Sequence, residues 1–122
     1  MRPSRKLSGI GIDSISWGRI ERFLGQHSFP FIRRLLVPSE QEIFQKTSEP
    51  LQFFARTFAA KEAYFKARGG SWMGEAEFRG IEVVMEEGEK FHIRDEQVNE
   101  GTFFELPNGI AARVFVWGEA RP

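Results

Sequence analysis

The residues with chemistry to offer are few: one lysine-and-glutamate pair, one aspartate beside glycines, and little else. Glu62 and Lys66 stand four apart in Phe58-Ala59-Ala60-Lys61-Glu62-Ala63-Tyr64-Phe65-Lys66-Ala67, a spacing that puts both on one helix face beside Phe58. The plain reading is a surface pair worth a few tenths of a kcal/mol, roughly 0.2–0.5. The alternative follows from Phe58 and the small alanines, which mark a partly buried face where an unpaired carboxylate is costly. A carboxylate kept there needs a cation. Asp13, at the end of the glycine-rich run Leu7–Ile12, is a second carboxylate that can approach. Magnesium is commonly held by one or two protein carboxylates, with waters and substrate phosphates completing its shell, and a nearby lysine balances phosphate charge. Other chemistries are poorly supplied. There is no cysteine, and His27 and His92 lack ligand spacing. Neither Gly9-Ile10-Gly11 nor Gly69-Gly70 makes a dinucleotide or P-loop fingerprint.

These residues need elements to carry them. Leu7–Ile12 reads as a short strand with Gly9 and Gly11 on one side, and Asp13 is expected to end it. A helix follows, with Ser14 or Ser16 as N-cap, Trp17, Ile20 and Leu24 at helical spacing, and Gly25 as its stop. Phe29–Val37 reads as another short helix. Ser39 and Glu42 form an expected capping box for the next. Leu51–Arg68 is the strongest helix, rich in Ala, Phe, Lys and Glu and closed by Gly69-Gly70. Strands are then expected at Ile81–Met85, Phe91–Arg94, Thr102–Leu106 and Ile110–Trp117. Turn signals separate them at Glu87-Gly88, Asn99-Glu100-Gly101 and Pro107-Asn108-Gly109. The order of strand, helices and meander favours an α+β fold.

The 122 residues suit a single domain, 1–122, with enough apolar content (41%, including 13 Phe) for a modest core. So small a domain leaves apolar surface near water, and self-association is expected. No run approaches the length of a membrane span, and the basic start is not followed by an apolar signal core, so the chain is read as cytoplasmic. Charge balances overall but not locally. Residues 1–37 hold seven basic and two acidic groups, and residues 75–105 hold three basic and ten acidic ones. A basic face meeting an acidic partner fits this asymmetry, and so does ordinary solvated surface. Arg19 and Arg22, three apart, share one side of the first helix and are the candidate partner-binding residues.

Gly11-Ile12-Asp13 followed by Arg19-Ile20 resembles the opening motif of the 4′-phosphopantetheinyl transferases of the holo-acyl-carrier-protein synthase type. Phe58-Ala59-Ala60-Lys61-Glu62-Ala63, with Lys66 beyond, is similar to that family's second motif. Arg34-Leu35-Leu36-Val37-Pro38-Ser39-Glu40 resembles the segment between them. The resemblance implies an antiparallel sheet packed with a long helix, in a small form that assembles into a homotrimer with active sites between subunits. It implies magnesium-dependent transfer of 4′-phosphopantetheine from coenzyme A to a serine of acyl carrier protein, with no nucleic acid or membrane involved. On the same basis Asp13 and Glu62 are the metal ligands, and Asp13, Glu62 and Lys66 the catalytic residues. Lys61, Lys66, Gly69 and Gly70 are donor-binding residues, and Arg19 belongs to the carrier-protein face. The chain departs from the family in its C-terminal third, where Thr102-Phe103-Phe104-Glu105-Leu106 replaces a Ser- and His-containing strand. Glu105 is then either a third acidic ligand or an ordinary exposed strand residue. Arg56-Thr57 stands where Gly-Arg is usual, and Arg68-Gly69-Gly70-Ser71 replaces a Gly-Thr-Gly turn. Two functions compete: an active transferase, and a non-catalytic relative that binds acyl carrier protein without transfer.

Overall fold

A computed structural model describes residues 5–69, 78–95 and 98–119. Strand β1 (Arg5–Ser16) is followed by helices α1 (Trp17–Gln26), α2 (Phe29–Arg34), α3 (Pro38–Lys46) and α4 (Pro50–Ala67). Strands β2 (Glu82–Met85), β3 (Lys90–Arg94), β4 (Val98–Leu106) and β5 (Gly109–Glu119) complete the order. They form one antiparallel sheet in the order β1-β5-β4-β3-β2, so the first strand closes onto the last. The α+β expectation holds. Among the described residues no helix is long and apolar enough to cross a membrane.

Helix α4 packs across β1 and β5, and its sheet-facing side is made of small residues. Ala55, Ala59, Ala60 and Ala63 are fully buried. They meet a strand that is equally bare: a Cβ on Gly9 would lie 1.8 Å from the Ala67 carbonyl oxygen, and one on Gly11 1.7 Å from that of Ala63. Only glycine permits this approach. Above α4 the aromatic rings of Phe23, Phe44, Phe54, Phe58 and Phe78 pack successively against one another. The rings of Phe91 on β3 and Phe103 on β4 pack at a tilt, with centroids 4.3 Å apart.

Several local expectations are corrected. β1 does not end at Asp13 but runs to Ser16, because Asp13, Ser14, Ile15 and Ser16 all find partners in β5. Of the two expected caps it is Ser16 that caps α1, its hydroxyl accepting from Arg19 N at 3.2 Å, but the helix passes Gly25 to end at Gln26. Ser39 does not cap α3. Pro38, which has no N–H to leave unsatisfied, takes the first helical position. The cap therefore moves back to Val37, whose N–H donates to Glu40 Oε1 at 2.9 Å. Glu42 instead pairs with Lys46 on the surface. Asn99-Glu100-Gly101 is not a turn: all three lie inside β4, paired with β3, and the Phe91 ring covers Gly101.

Lys61 supplies the largest correction. Both it and Glu40 are 0% exposed. The Lys61 ammonium donates to Glu40 Oε1 at 2.7 Å and to the carbonyls of Leu35 at 3.1 Å and Phe78 at 2.7 Å, which engages all three of its donors. Glu40 Oε2 accepts from Val83 N at 2.7 Å. Burial pushes the Lys61 pKa down and the Glu40 pKa up, against their mutual attraction. The pair ties α2, α3, α4 and β2 together, and Lys61 has nothing left to offer a donor molecule. Losing one member of such a pair strands a buried charge at a cost of about 3–5 kcal/mol. Lys61→Ala should therefore lower the unfolding free energy in urea by that amount. A Glu40→Leu/Lys61→Met double variant should recover much of it, and a single-variant loss under about 1 kcal/mol would contradict the assignment.

Candidate active site

The glycine contact sets the geometry of the corner where β1 meets α4. From Gly9 to Gly11 the strand advances two residues, about 6.6 Å. The helix carbonyls they touch, Ala67 and Ala63, are four residues apart, about 6 Å. Strand and helix thus run side by side in opposite directions with matched steps. Asp13, on the same side of β1 as Gly9 and Gly11, comes next along the row. The residues just before the two contacted alanines are Glu62 and Lys66. The sequence expectation that Asp13 approaches the Glu62/Lys66 face is met.

The ion pairing is not the one helical spacing suggests. The Lys66 ammonium donates to Asp13 Oδ1 at 2.8 Å and makes no salt bridge to Glu62. The Asp13 side chain is 16% exposed and that of Lys66 47%. Glu62 is half-buried, and among the described residues no hydrogen bond or ion pair reaches its carboxylate. Its pKa is raised, first by burial and then by repulsion from Asp13, with Lys66 opposing. Two repelling carboxylates, one without a donor, form a hard-oxygen set that a small dication would satisfy. Among the described residues no group of three His, Asp or Glu side chains is placed to bind a metal. A two-carboxylate site suits magnesium, which keeps waters and takes up substrate oxygens.

The other candidates lie on α1, on β4 and just past the end of α4. Gly69 ends α4 with φ +86°, its N–H donating to the Lys66 carbonyl at 2.9 Å, while Gly70 lies outside the described residues. Arg19 and Arg22 are exposed on α1. With Ile15, Ile20, Phe23, Gln26 and Phe58 they line a shallow groove of about 230 Å³. Glu105 proves to be an exposed strand residue whose Oε1 lies 3.8 Å from Arg56 Nη2, with Arg56 also bonded to Glu89 and lying over the Phe103 ring.

One cluster had no signal in the sequence. Tyr64 Oη donates to Asp95 Oδ2 at 2.8 Å, and Arg68 Nη1 approaches the same oxygen at 3.4 Å. Burial, then the bond to Asp95, pushes the Tyr64 pKa up to about 12. Tyr64 sits between Glu62 and Lys66 in sequence, so this clasp fixes the end of α4 that carries the site.

Asp13→Asn removes the negative charge that raises the Glu62 pKa and frees Lys66 to approach Glu62, so that pKa should fall toward the ordinary carboxylate range. A side-chain 13C titration of Glu62 reads it directly. An unchanged value would mean that burial alone sets it.

With this geometry in hand, the relationships of the chain are plain. Residues 9–116 match the 4′-phosphopantetheinyl transferase superfamily. The holo-[acyl-carrier-protein] synthase of Halorhodospira halophila is 40% identical over 78 residues, 64% of this chain and 62% of that protein. In sequence, the chain spans less than two thirds of the length of this relative and of the curated relatives from Aromatoleum aromaticum and Neisseria meningitidis. The fold agrees over a longer span. The crystal structure of the Neisseria meningitidis holo-[acyl-carrier-protein] synthase superposes with a TM-score of 0.78 at 27% identity, covering 90% of this chain and 98% of that one. The Bacillus anthracis enzyme, solved in complex with CoA (3′,5′-ADP), gives 0.75 at 30% identity, covering 93% and 98%. The chain belongs to the 4′-phosphopantetheinyl transferase superfamily.

Proposed function

We propose that the chain is a holo-[acyl-carrier-protein] synthase, transferring 4′-phosphopantetheine from coenzyme A to a serine of acyl carrier protein. The observation that carries this reading is the convergence of Asp13, Glu62 and Lys66 at one partly exposed corner, in a chain whose relatives are named for that activity. Asp13 and Glu62 are the residues that would hold magnesium; bound there, the ion would neutralise the donor's diphosphate and stabilise the leaving phosphate. The protein's own part is positioning and charge. Lys66, half in water, can meet a donor phosphate as a point charge. Glu62 is the carboxylate that would accept the serine hydroxyl proton, directly or through a water.

The acceptor side follows from the α1 groove. Its floor is apolar, from Ile15, Ile20, Phe23 and Phe58, and Arg19 and Arg22 rim it. Such a surface suits an acidic helix with an apolar face, and acyl carrier protein is acidic. The proposal extends to a cytoplasmic homotrimer. In support of assembly, the sheet face away from α4 leaves Ile10 52% and Ile12 60% exposed, beside Phe104 and Leu106. Phe115 and Trp117 continue that apolar surface. The alternative of a carrier-binding relative without transfer is favoured by one observation: β4 supplies no serine or histidine where the family has them.

Incubation with coenzyme A, magnesium and apo-acyl carrier protein separates the two readings. We expect the carrier to gain the mass of the prosthetic group, and Asp13→Ala or Glu62→Ala to reduce this gain at least about 100-fold with the fold intact. Carrier binding without mass gain would select the non-catalytic reading. The groove has its own test. Arg19→Glu should weaken carrier binding most at low salt, with little change in affinity for coenzyme A. Unchanged binding and salt dependence would make the arginines ordinary surface.

A further inference from the structure

At the Asp13–Glu62 corner the neutralising cation is part of the protein itself. Lys66 Nζ lies 2.8 Å from Asp13 Oδ1, while Glu62, one turn earlier on α4, has no hydrogen bond or ion pair among the described residues. The backbones on either side have no freedom to close further, since a Cβ on Gly9 or Gly11 would already overlap α4 carbonyl oxygens. Nor does the end of α4 swing easily, being clasped through Tyr64, Arg68 and Asp95. Any change in how the two carboxylates are neutralised must therefore come from a side chain. Asp13 is largely enclosed at 16% exposure, and Lys66 at 47% has water along its flexible stem.

We propose that Lys66 is the resident counter-ion of Asp13, that it leaves when a divalent cation enters between Asp13 and Glu62, and that the freed ammonium then serves the anionic donor. This rests on the reading that those two carboxylates hold a divalent cation. A dication has the advantage because it can bond both carboxylates, whereas the ammonium bonds only one of them. A partly exposed ion pair is weak enough to be exchanged in this way. The consequence is an order of binding. Without metal, Lys66 is held on Asp13 and is not free to meet a phosphate. With metal, the same lysine is released beside the place where the donor's charge arrives. One residue thus couples the two events.

The exchange can be followed without any turnover, by titrating magnesium into 15N,13C-labelled protein in the absence of coenzyme A. A through-hydrogen-bond NMR coupling between Lys66 Nζ and the Asp13 carboxyl carbon should be present without metal and vanish as the site fills. In parallel, acetylation of the Lys66 amine should speed up about fivefold, with the Lys46–Glu42 surface pair as an unchanging control. Manganese binding, read by EPR, reports occupancy, and Asp13→Asn should abolish it. A coupling that survives at full occupancy overturns the exchange and leaves the metal reading standing. An absence of manganese binding that depends on Asp13 and Glu62 overturns both.

Discussion

Everything at the active corner depends on how closely β1 lies on α4. Gly9 and Gly11 put strand backbone against helix backbone, and the alanines of α4 keep its side of the contact equally thin. The strand's two-residue step and the helix's four-residue step nearly coincide, so continuing the row carries Asp13 one step beyond Ala63 toward the helix N-terminus, past Glu62, where the long Lys66 side chain reaches back to it. A side chain at either glycine would lift the strand and carry Asp13 with it. The glycines thus act on the site without touching it, and the glycine-rich edge strand, weak by propensity, is held by unbroken pairing to β5 from Gly9 to Ser16.

The two lysines of α4 show how one helix divides its charges. Lys61 and Lys66 are five positions apart, about 140° around the axis. The first points into the core and is consumed by Glu40 and two carbonyls; the second points to the rim and keeps its freedom. Burial is tolerated at Lys61 because every donor is answered. At Glu62 it is not fully answered, and the raised pKa is the sign of that deficit. The fold therefore places a satisfied charge pair one residue away from an unsatisfied carboxylate, and only the latter has reason to recruit a cation.

Much of this was legible from residue types and spacing. The α4 span, the Ser16 cap, the Pro107-Asn108-Gly109 hairpin and the approach of Asp13 to Glu62 and Lys66 all rest on local pattern or on glycines that advertise close packing. What failed had non-local causes. Lys61 looked like a second donor-facing lysine because its partner Glu40 is 21 residues away and two of its acceptors are backbone carbonyls, which no pattern announces. Asn99-Glu100-Gly101 has the composition of a turn, but ladder pairing of all three with β3, and of Gly101 with β5 as well, overrides it. Asp13 was expected to end a strand that β5 in fact extends to Ser16. The Tyr64–Asp95 clasp joins elements 31 residues apart and had no sequence signal at all.

The central claim is that Asp13 and Glu62, brought together by the glycine contact, form one cation site next to Lys66. Anomalous X-ray scattering from crystals grown with manganese and coenzyme A tests it most directly. The account predicts a single anomalous peak within bonding distance of both carboxylates, with Lys66 turned away from Asp13. A peak elsewhere, or one bound to a single carboxylate with Lys66 still on Asp13, would contradict it.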